Sequence, residues 1–181
     1  KISFSGKFSK GIGKRNTVYK LLKLLEKKKI INKKFEINIK KNIPQKSGMG
    51  GGSMNAASIL SYFMKKRILN ISNKKVKYLA YKVGSDVILG LEKKNSILFK
   101  NKKIGRLNKK IDFHVLIVMA NVGCSTKYIF SKVTKYSKSL YFNTNKRFFE
   151  TNYLVQSNND LENIVFKKYS KIKNLKYFLS N

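Results

Sequence analysis

Four of the six residues at 48–53 are glycine, in the order Gly48-Met49-Gly50-Gly51-Gly52-Ser53, and no other stretch restricts the folding of this chain as tightly. Glycine at that density is poorly suited to a helix or strand interior, so a loop is expected. Directly behind it, Asn55, Ala56, Ala57, Ile59, Leu60, Phe63 and Met64 recur at helical spacing. The loop therefore opens a helix. Bare backbone lets several N–H groups converge on one point, and the helix adds the positive end of its dipole. That combination suits a phosphate. The loop is not a Walker A segment, because no Gly-Lys-Ser/Thr follows a leading glycine, and it lacks the spacing of the dinucleotide fingerprint. A tight turn ahead of a helix is the plain alternative, and the glycines alone do not decide between the two.

Around this loop the periodicity changes in a readable order. Ile2, Phe4 and Phe8 predict a short first strand closed by Gly11 and Gly13, after which Asn16 caps a helix bearing Val18, Leu21, Leu22 and Leu25. Beyond a lysine-rich break at 27–29, the alternation of Phe35, Ile37 and Ile39 predicts a strand ended by Pro44, the one proline. Val76, Leu79, Ala80 and Val83 predict a further helix ending at Gly84. Strands are expected at 96–99 and 113–119, and Ser125 or Thr126 can cap a helix through Ile129, Phe130 and Val133. From Asn143 onward helical clusters alternate with asparagine-rich breaks, which predicts a mostly helical region.

With 181 residues, 42% of them hydrophobic, the chain can bury one sizeable core or two small lobes. Lysine and arginine total 41 against 8 acidic residues, a net charge of +33 that points first to a polyanion partner. Only Arg15, Arg67, Arg106 and Arg147 are arginine, however, and bidentate recognition of phosphate or guanine favours that planar fork. Lysine, isoleucine and asparagine are over-used together and share A/T-rich codons. Drift in base composition accounts for all three, and nucleic-acid binding is ranked behind it. The single Cys124 and single His114 give no internal disulfide and no recognisable zinc spacing; both read as packing residues on or beside the strand expected from Phe113. The longest apolar run, 115–120, is far shorter than a membrane span. No membrane association and a cytoplasmic location are expected.

The segment Pro44-Gln45-Lys46-Ser47-Gly48-Met49-Gly50-Gly51-Gly52-Ser53-Met54-Asn55-Ala56-Ala57 resembles the phosphate-binding motif of the GHMP small-molecule kinases. That motif is a proline, variable residues, then a glycine-serine loop entering an alanine-rich helix. The triple glycine is similar to the branch of the family that acts on a cytidyl-diphosphate-linked polyol. Asn16-Thr17-Val18 resembles the family's Asn-Leu-Val segment, and Val83-Gly84-Ser85-Asp86-Val87 its Leu-Gly-Ala-Asp-Val. Ser125-Thr126 resembles a Ser-Thr segment before the C-terminal lobe, and Asn159-Asp160-Leu161-Glu162 the family's Asn-Asp-Leu-Glu. The order agrees throughout, loosely at 93–110 and 136–156. Met54 stands where the family usually has serine, and Ile88 where it often has proline. The family's opening lysine strand, its Gly-Tyr-His segment and its closing glycine-rich segment have no counterpart, so an interior segment of a family member is expected, one that does not turn over alone.

The resemblance implies transfer of the ATP γ-phosphoryl group to a hydroxyl of 4-diphosphocytidyl-2-C-methyl-D-erythritol in the non-mevalonate isoprenoid pathway, with ATP and Mg2+ as cofactors. It assigns ATP binding to Pro44, Gln45, Lys46, Ser47, Gly48, Met49, Gly50, Gly51, Gly52, Ser53 and Met54, with the Ser53 hydroxyl as a Mg2+ or phosphate ligand. Asn16 and Lys41 are placed near the adenine. For Lys41 a solvated position on a lysine-rich surface is the competing reading. Three aspartates and five glutamates leave few candidate bases. By resemblance Asp86 accepts the hydroxyl proton, while a turn-forming aspartate beside Gly84 fits the same residues. Asp112 adjoins a strand without glycine context, Asp160 reads as a helix cap, and Ser125 and Thr126 read as a cap rather than as ligands.

The implied fold is α+β and two-lobed. A ribosomal protein S5 domain 2-like ATP-binding domain is expected over 1–112 and a partial C-terminal α/β lobe over 113–181, both incomplete and with exposed sheet edges. The oligomeric state is open. Two other readings stand beside this one: a GHMP kinase acting on homoserine or a mevalonate derivative, expected to carry one glycine followed by serines, and a basic nucleic-acid-binding protein, expected to interleave aromatics with arginine on an exposed sheet.

Overall fold

The computed structural model describes residues 1–45, 47–99, 102–108, 111, 114–120, 122–136 and 145–180, with residues 126 and 146 described by their backbone alone. The chain forms two compact units, one of Lys1–Gln45 with Met49–Lys93 and the other of Lys46–Gly48 with Lys94–Asn181. The boundary expected between Asp112 and Phe113 falls outside the described residues.

The first unit begins with strand β1 (Ile2–Ser5), helix α1 (Thr17–Lys27) and strand β2 (Ile37–Lys40). The strands pair in parallel, from Ile2 opposite Ile37 to Ser5 opposite Lys40. Parallel neighbours need a crossover, and α1 supplies it. Asn16 caps α1 as expected, its carboxamide oxygen accepting from the Tyr19 N–H at 2.9 Å. Val18, Leu21 and Leu25, one stripe of the helix, are buried. β2 starts after Phe35 and stops four residues before Pro44: the Lys41 N–H still donates to Ser5 of β1, but its carbonyl accepts from Phe8, beyond the end of that strand.

Helix α2 (Gly51–Lys65) opens in the glycine loop, and α3 (Asn73–Val83) is capped by Ser72. The buried residues of α3 are Val76, Leu79, Ala80 and Val83, the set expected from their spacing. A 3-10 helix at Val87–Leu91 follows. It lies so close to α2 that a Cβ on Gly90 would stand 2.8 Å from both the Ala57 Cβ and the Met54 sulfur. Leu21, Leu25, Leu60, Leu79, Val87 and Ile88 are the largest fully buried side chains, all within this unit.

The second unit holds the antiparallel hairpin of β3 (Asn95–Leu98) and β4 (Ile104–Leu107). Then come α4 (Thr126–Ser131), a 3-10 turn at Lys146–Phe149, α5 (Thr151–Val155), α6 (Glu162–Lys168) and α7 (Ser170–Ser180). β4 was not expected from the sequence. Ser125 is the cap of α4, its hydroxyl accepting from the Tyr128 N–H. At the start of α6 the Asn159 carboxamide, not Asp160, accepts from the Leu161 N–H.

Two expectations are corrected here. Residues 114–120 carry no regular structure, and Leu116, in the middle of the apolar run, is 82% exposed. Phe113 and Asp112 lie outside the described residues. A strand is held by a ladder partner, and none of the described strands pairs with this run. His114 is exposed rather than packed, and Cys124 is half-buried.

Candidate active site

The start of α2 is the centre of the site. Gly48 and Gly50 take φ of +74° and +66°, a left-handed backbone that favours glycine, and Gly50 is the N-cap residue. The first α2 bond on this side runs from the Met54 N–H to the Gly50 carbonyl at 2.9 Å. The N–H groups of Gly51, Gly52 and Ser53 are therefore left without an intrahelical acceptor. No side chain caps them, and the first turn has no acidic residue.

Three other elements converge on this turn. Lys41 is the one charged residue among those described as buried, at 9% exposure, and its Nζ lies 3.4 Å from the Cβ position of Gly51. Backbone bonds to Ser5 of β1 and to Phe8 beyond it hold it there, and Gly6 makes room: a Cβ on Gly6 would stand 2.9 Å from the Lys41 carbonyl oxygen. No ion pair is recorded for this ammonium among the described residues. Lys41 is thus buried rather than on the solvated surface, and it faces the same helix end as the free amides. From α1, the Thr17 hydroxyl lies 3.1 Å from the Cβ position of Gly52. From the turn after α3, the Cβ position of Gly84 is 4.0 Å from the Ser53 hydroxyl, which brings the Gly84-Ser85-Asp86 segment beside the loop.

Asp86 is exposed and accepts a hydrogen bond from the Ser85 hydroxyl at 3.1 Å. It precedes the 3-10 helix but makes no side-chain cap to it. Behind Thr17 a cavity of about 560 Å³ is lined by Lys14, Arg15, Asn16, Tyr19, Lys20 and Val83 among others. It adjoins Asn16, the N-cap of α1, and the first two turns of that helix.

Other expected ligands have local duties. The Gln45 amide donates to the Phe8 and Lys10 carbonyls at 3.0 and 2.8 Å, tying the loop to the segment after β1. Asn16 donates to the Gly13 carbonyl while capping α1, leaving one amide hydrogen and one lone pair for a ligand. Met54 has its N–H taken and its sulfur set against Gly90. Met49 and Ser47 are exposed and Pro44 half-buried; Lys46 lies outside the described residues. Thr17 and Lys20 were missed. Thr17 adjoins the capping residue that was singled out, but nothing in the sequence announces that Lys20 reaches a carbonyl 63 positions away.

The free amides at the start of α2, the buried Lys41 ammonium and the exposed Asp86 carboxylate with its Ser85 hydroxyl all belong to the first unit. Residues 16–93 match the family model for the GHMP kinases N terminal domain, and the chain belongs to the GHMP kinase family, with an α+β fold. It is 48% identical over 181 residues to a 4-diphosphocytidyl-2-C-methyl-D-erythritol kinase of Pelagibacter ubique (strain HTCC1062), covering 99% of this chain and 64% of that protein. Proteins of the same name from Persephonella marina (strain DSM 14350 / EX-H1) and Clostridium perfringens (strain 13 / Type A) are 38% and 33% identical, over 67% and 90% of this chain and 45% and 59% of theirs. The chain thus spans less than two thirds of the length of these relatives.

Proposed function

We propose that the protein is an ATP-dependent kinase that phosphorylates a hydroxyl of 4-diphosphocytidyl-2-C-methyl-D-erythritol in the non-mevalonate isoprenoid pathway. The observation that carries this reading is the buried Lys41 ammonium set against the uncapped, unacidified start of α2. Two positive features facing one another are favourable together only around an anion, and a polyphosphate offers several oxygens to fill the gap. The substrate's identity is supported by the relatives' name.

In this reading the N–H groups of Gly51, Gly52 and Ser53 and the Lys41 ammonium hold the ATP phosphates. Asn16 lies near the base, with one amide hydrogen and one lone pair left for it. Asp86 accepts the proton of the attacking hydroxyl, and its hydrogen bond from Ser85 fixes the carboxylate's direction. Phosphoryl transfer of this kind depends chiefly on alignment and on charge offset at the phosphates. A Mg2+ ion takes hard oxygen ligands and keeps several waters, so the Ser53 hydroxyl together with phosphate oxygens suits it. Among the described residues no group of three acidic, histidine or cysteine side chains could hold a metal ion. The fold proposed for the chain is two-lobed, a ribosomal protein S5 domain 2-like lobe over 1–112 and part of an α/β lobe over 113–181. A cytoplasmic location suits a nucleotide-dependent enzyme, and no described helix is long and apolar enough to cross a membrane.

The test is ATP-dependent phosphorylation of the cytidyl substrate by the full-length gene product, compared with Asp86→Asn. Loss of the base should lower kcat by about 10²–10⁴-fold with ATP affinity little changed. Full activity in Asp86→Asn would remove Asp86 from the chemistry.

A further inference from the structure

We propose that Lys20 is a positioning residue that sets the distance between the proposed base and the phosphate loop. The side chain of Lys20 leaves α1 and donates from Nζ to the Val83 carbonyl at 2.7 Å, in a partly buried contact. Val83 is the last residue of α3, and its carbonyl belongs to the negative end of that helix, where an ammonium is favourable. The next three residues are Gly84, Ser85 and Asp86. Gly84 is fully extended, so the chain leaves the helix abruptly, and the segment is closed on its far side by the Val87 N–H donating to the Gly84 carbonyl at 3.1 Å. Val83 and Val87, at the two ends, are buried. Ser85 and Asp86 between them are exposed, so the local orientation of the carboxylate depends on how firmly those ends are held.

Lys20 follows Thr17 by three positions, which on a helix is one turn and the same side. Thr17 abuts Gly52 at the start of α2. One turn of α1 therefore touches the loop at one end and pins the carboxylate-bearing segment at the other. A misplacement of about 1 Å at reacting groups costs up to roughly 10²-fold in rate, so a single charge-assisted bond at this place governs kcat without touching substrate.

This inference rests on the reading of Asp86 as the base, and the experiment separates the two. In the full-length protein, Lys20→Gln, Lys20→Met and Lys20→Arg are compared with wild type for kcat, KM for ATP, and amide hydrogen exchange at residues 84–87. Lys20→Met should lower kcat by about 10-fold or more, leave KM for ATP within about twofold, and speed exchange at 84–87 alone; Lys20→Arg, which can still reach the carbonyl, should restore most of both. A raised KM with unchanged exchange would make Lys20 a direct phosphate ligand and overturn the proposal. Faster exchange throughout the unit, or no rescue by arginine, would reduce Lys20 to general packing and overturn it as well. Should wild-type protein show no kinase activity, the proposed function fails, while unchanged exchange at 84–87 in the variants would still refute the pin on its own.

Discussion

At the scale of single residues, Lys41 decides most. The residue is buried and its Nζ stands against the first turn of α2, so its charge lies beside the helix end that carries the free amides. Replacing it with methionine keeps the stem and deletes the charge. Lys41→Met should therefore weaken ATP binding by about 10–100-fold, the equivalent of roughly 1.5–3 kcal/mol for a hydrogen bond to a charged group, while the thermal midpoint of the ligand-free protein holds or rises. Calorimetric titration and a melting curve measure the two, and unchanged ATP affinity would take Lys41 out of the phosphate site. The burial was legible in the sequence, though read otherwise: Phe35, Ile37, Ile39 and Lys41 share the parity that faces inward along β2. The abundance of lysine hid it, since in so basic a chain any one lysine looks like surface. Asp86 was accessible only through resemblance, because a carboxylate after glycine serves a turn as well as a reaction.

Among the elements, α1, α2 and α3 could be read directly, since each combines a buried stripe at three- and four-residue spacing with a recognisable end: Asn16 and the glycine loop where α1 and α2 start, and Gly84 where α3 stops. β4 escaped because Ile104-Gly105-Arg106-Leu107 offers too few alternating positions to stand out, and only pairing with β3 makes it a strand. Residues 114–120 failed the other way: an apolar run is the same text whether it enters a sheet or lies uncovered. The contact between α2 and the 3-10 helix at Val87–Leu91 was also invisible, for it depends on what Gly90 lacks. A methyl group there meets Ala57, whose Cβ cannot move without its helix, and Met54, whose thioether can. Gly90→Ala should cost about 1–3 kcal/mol of stability in urea unfolding, as overpacking does, and should weaken ATP binding because Met54 adjoins Ser53. A neutral substitution would mean that α2 has slack at this crossing.

For the whole molecule the two units differ in how they hold together. The first contains every one of the largest fully buried side chains, and Phe35 stacks on Phe63 within it at 4.6 Å. In the second, α5, α6 and α7 bury no residue completely, and the contacts between helices lie nearer the surface: Lys176 pairs with Glu162 at 2.6 Å, and the Lys168 ammonium sits 3.3 Å from the centre of the Tyr128 ring. Exposed ion pairs contribute about 0–1 kcal/mol each, so they replace little of the missing burial. Amide exchange should accordingly be slowest in α2 and α3 and faster by orders of magnitude in α5 to α7. Equal protection across both would contradict this division.

An inward-held ammonium and a bare helix end stand side by side at Lys41 and Gly51, and the proposed function seats a nucleotide's phosphates between them. On that proposal a nucleotide entering the gap brings negative charge to it and becomes, for as long as it stays, a component of the architecture. Occupancy and folding are then one equilibrium seen from two sides: a cell rich in ATP would hold this domain together more firmly than a starved one, before any phosphate is transferred.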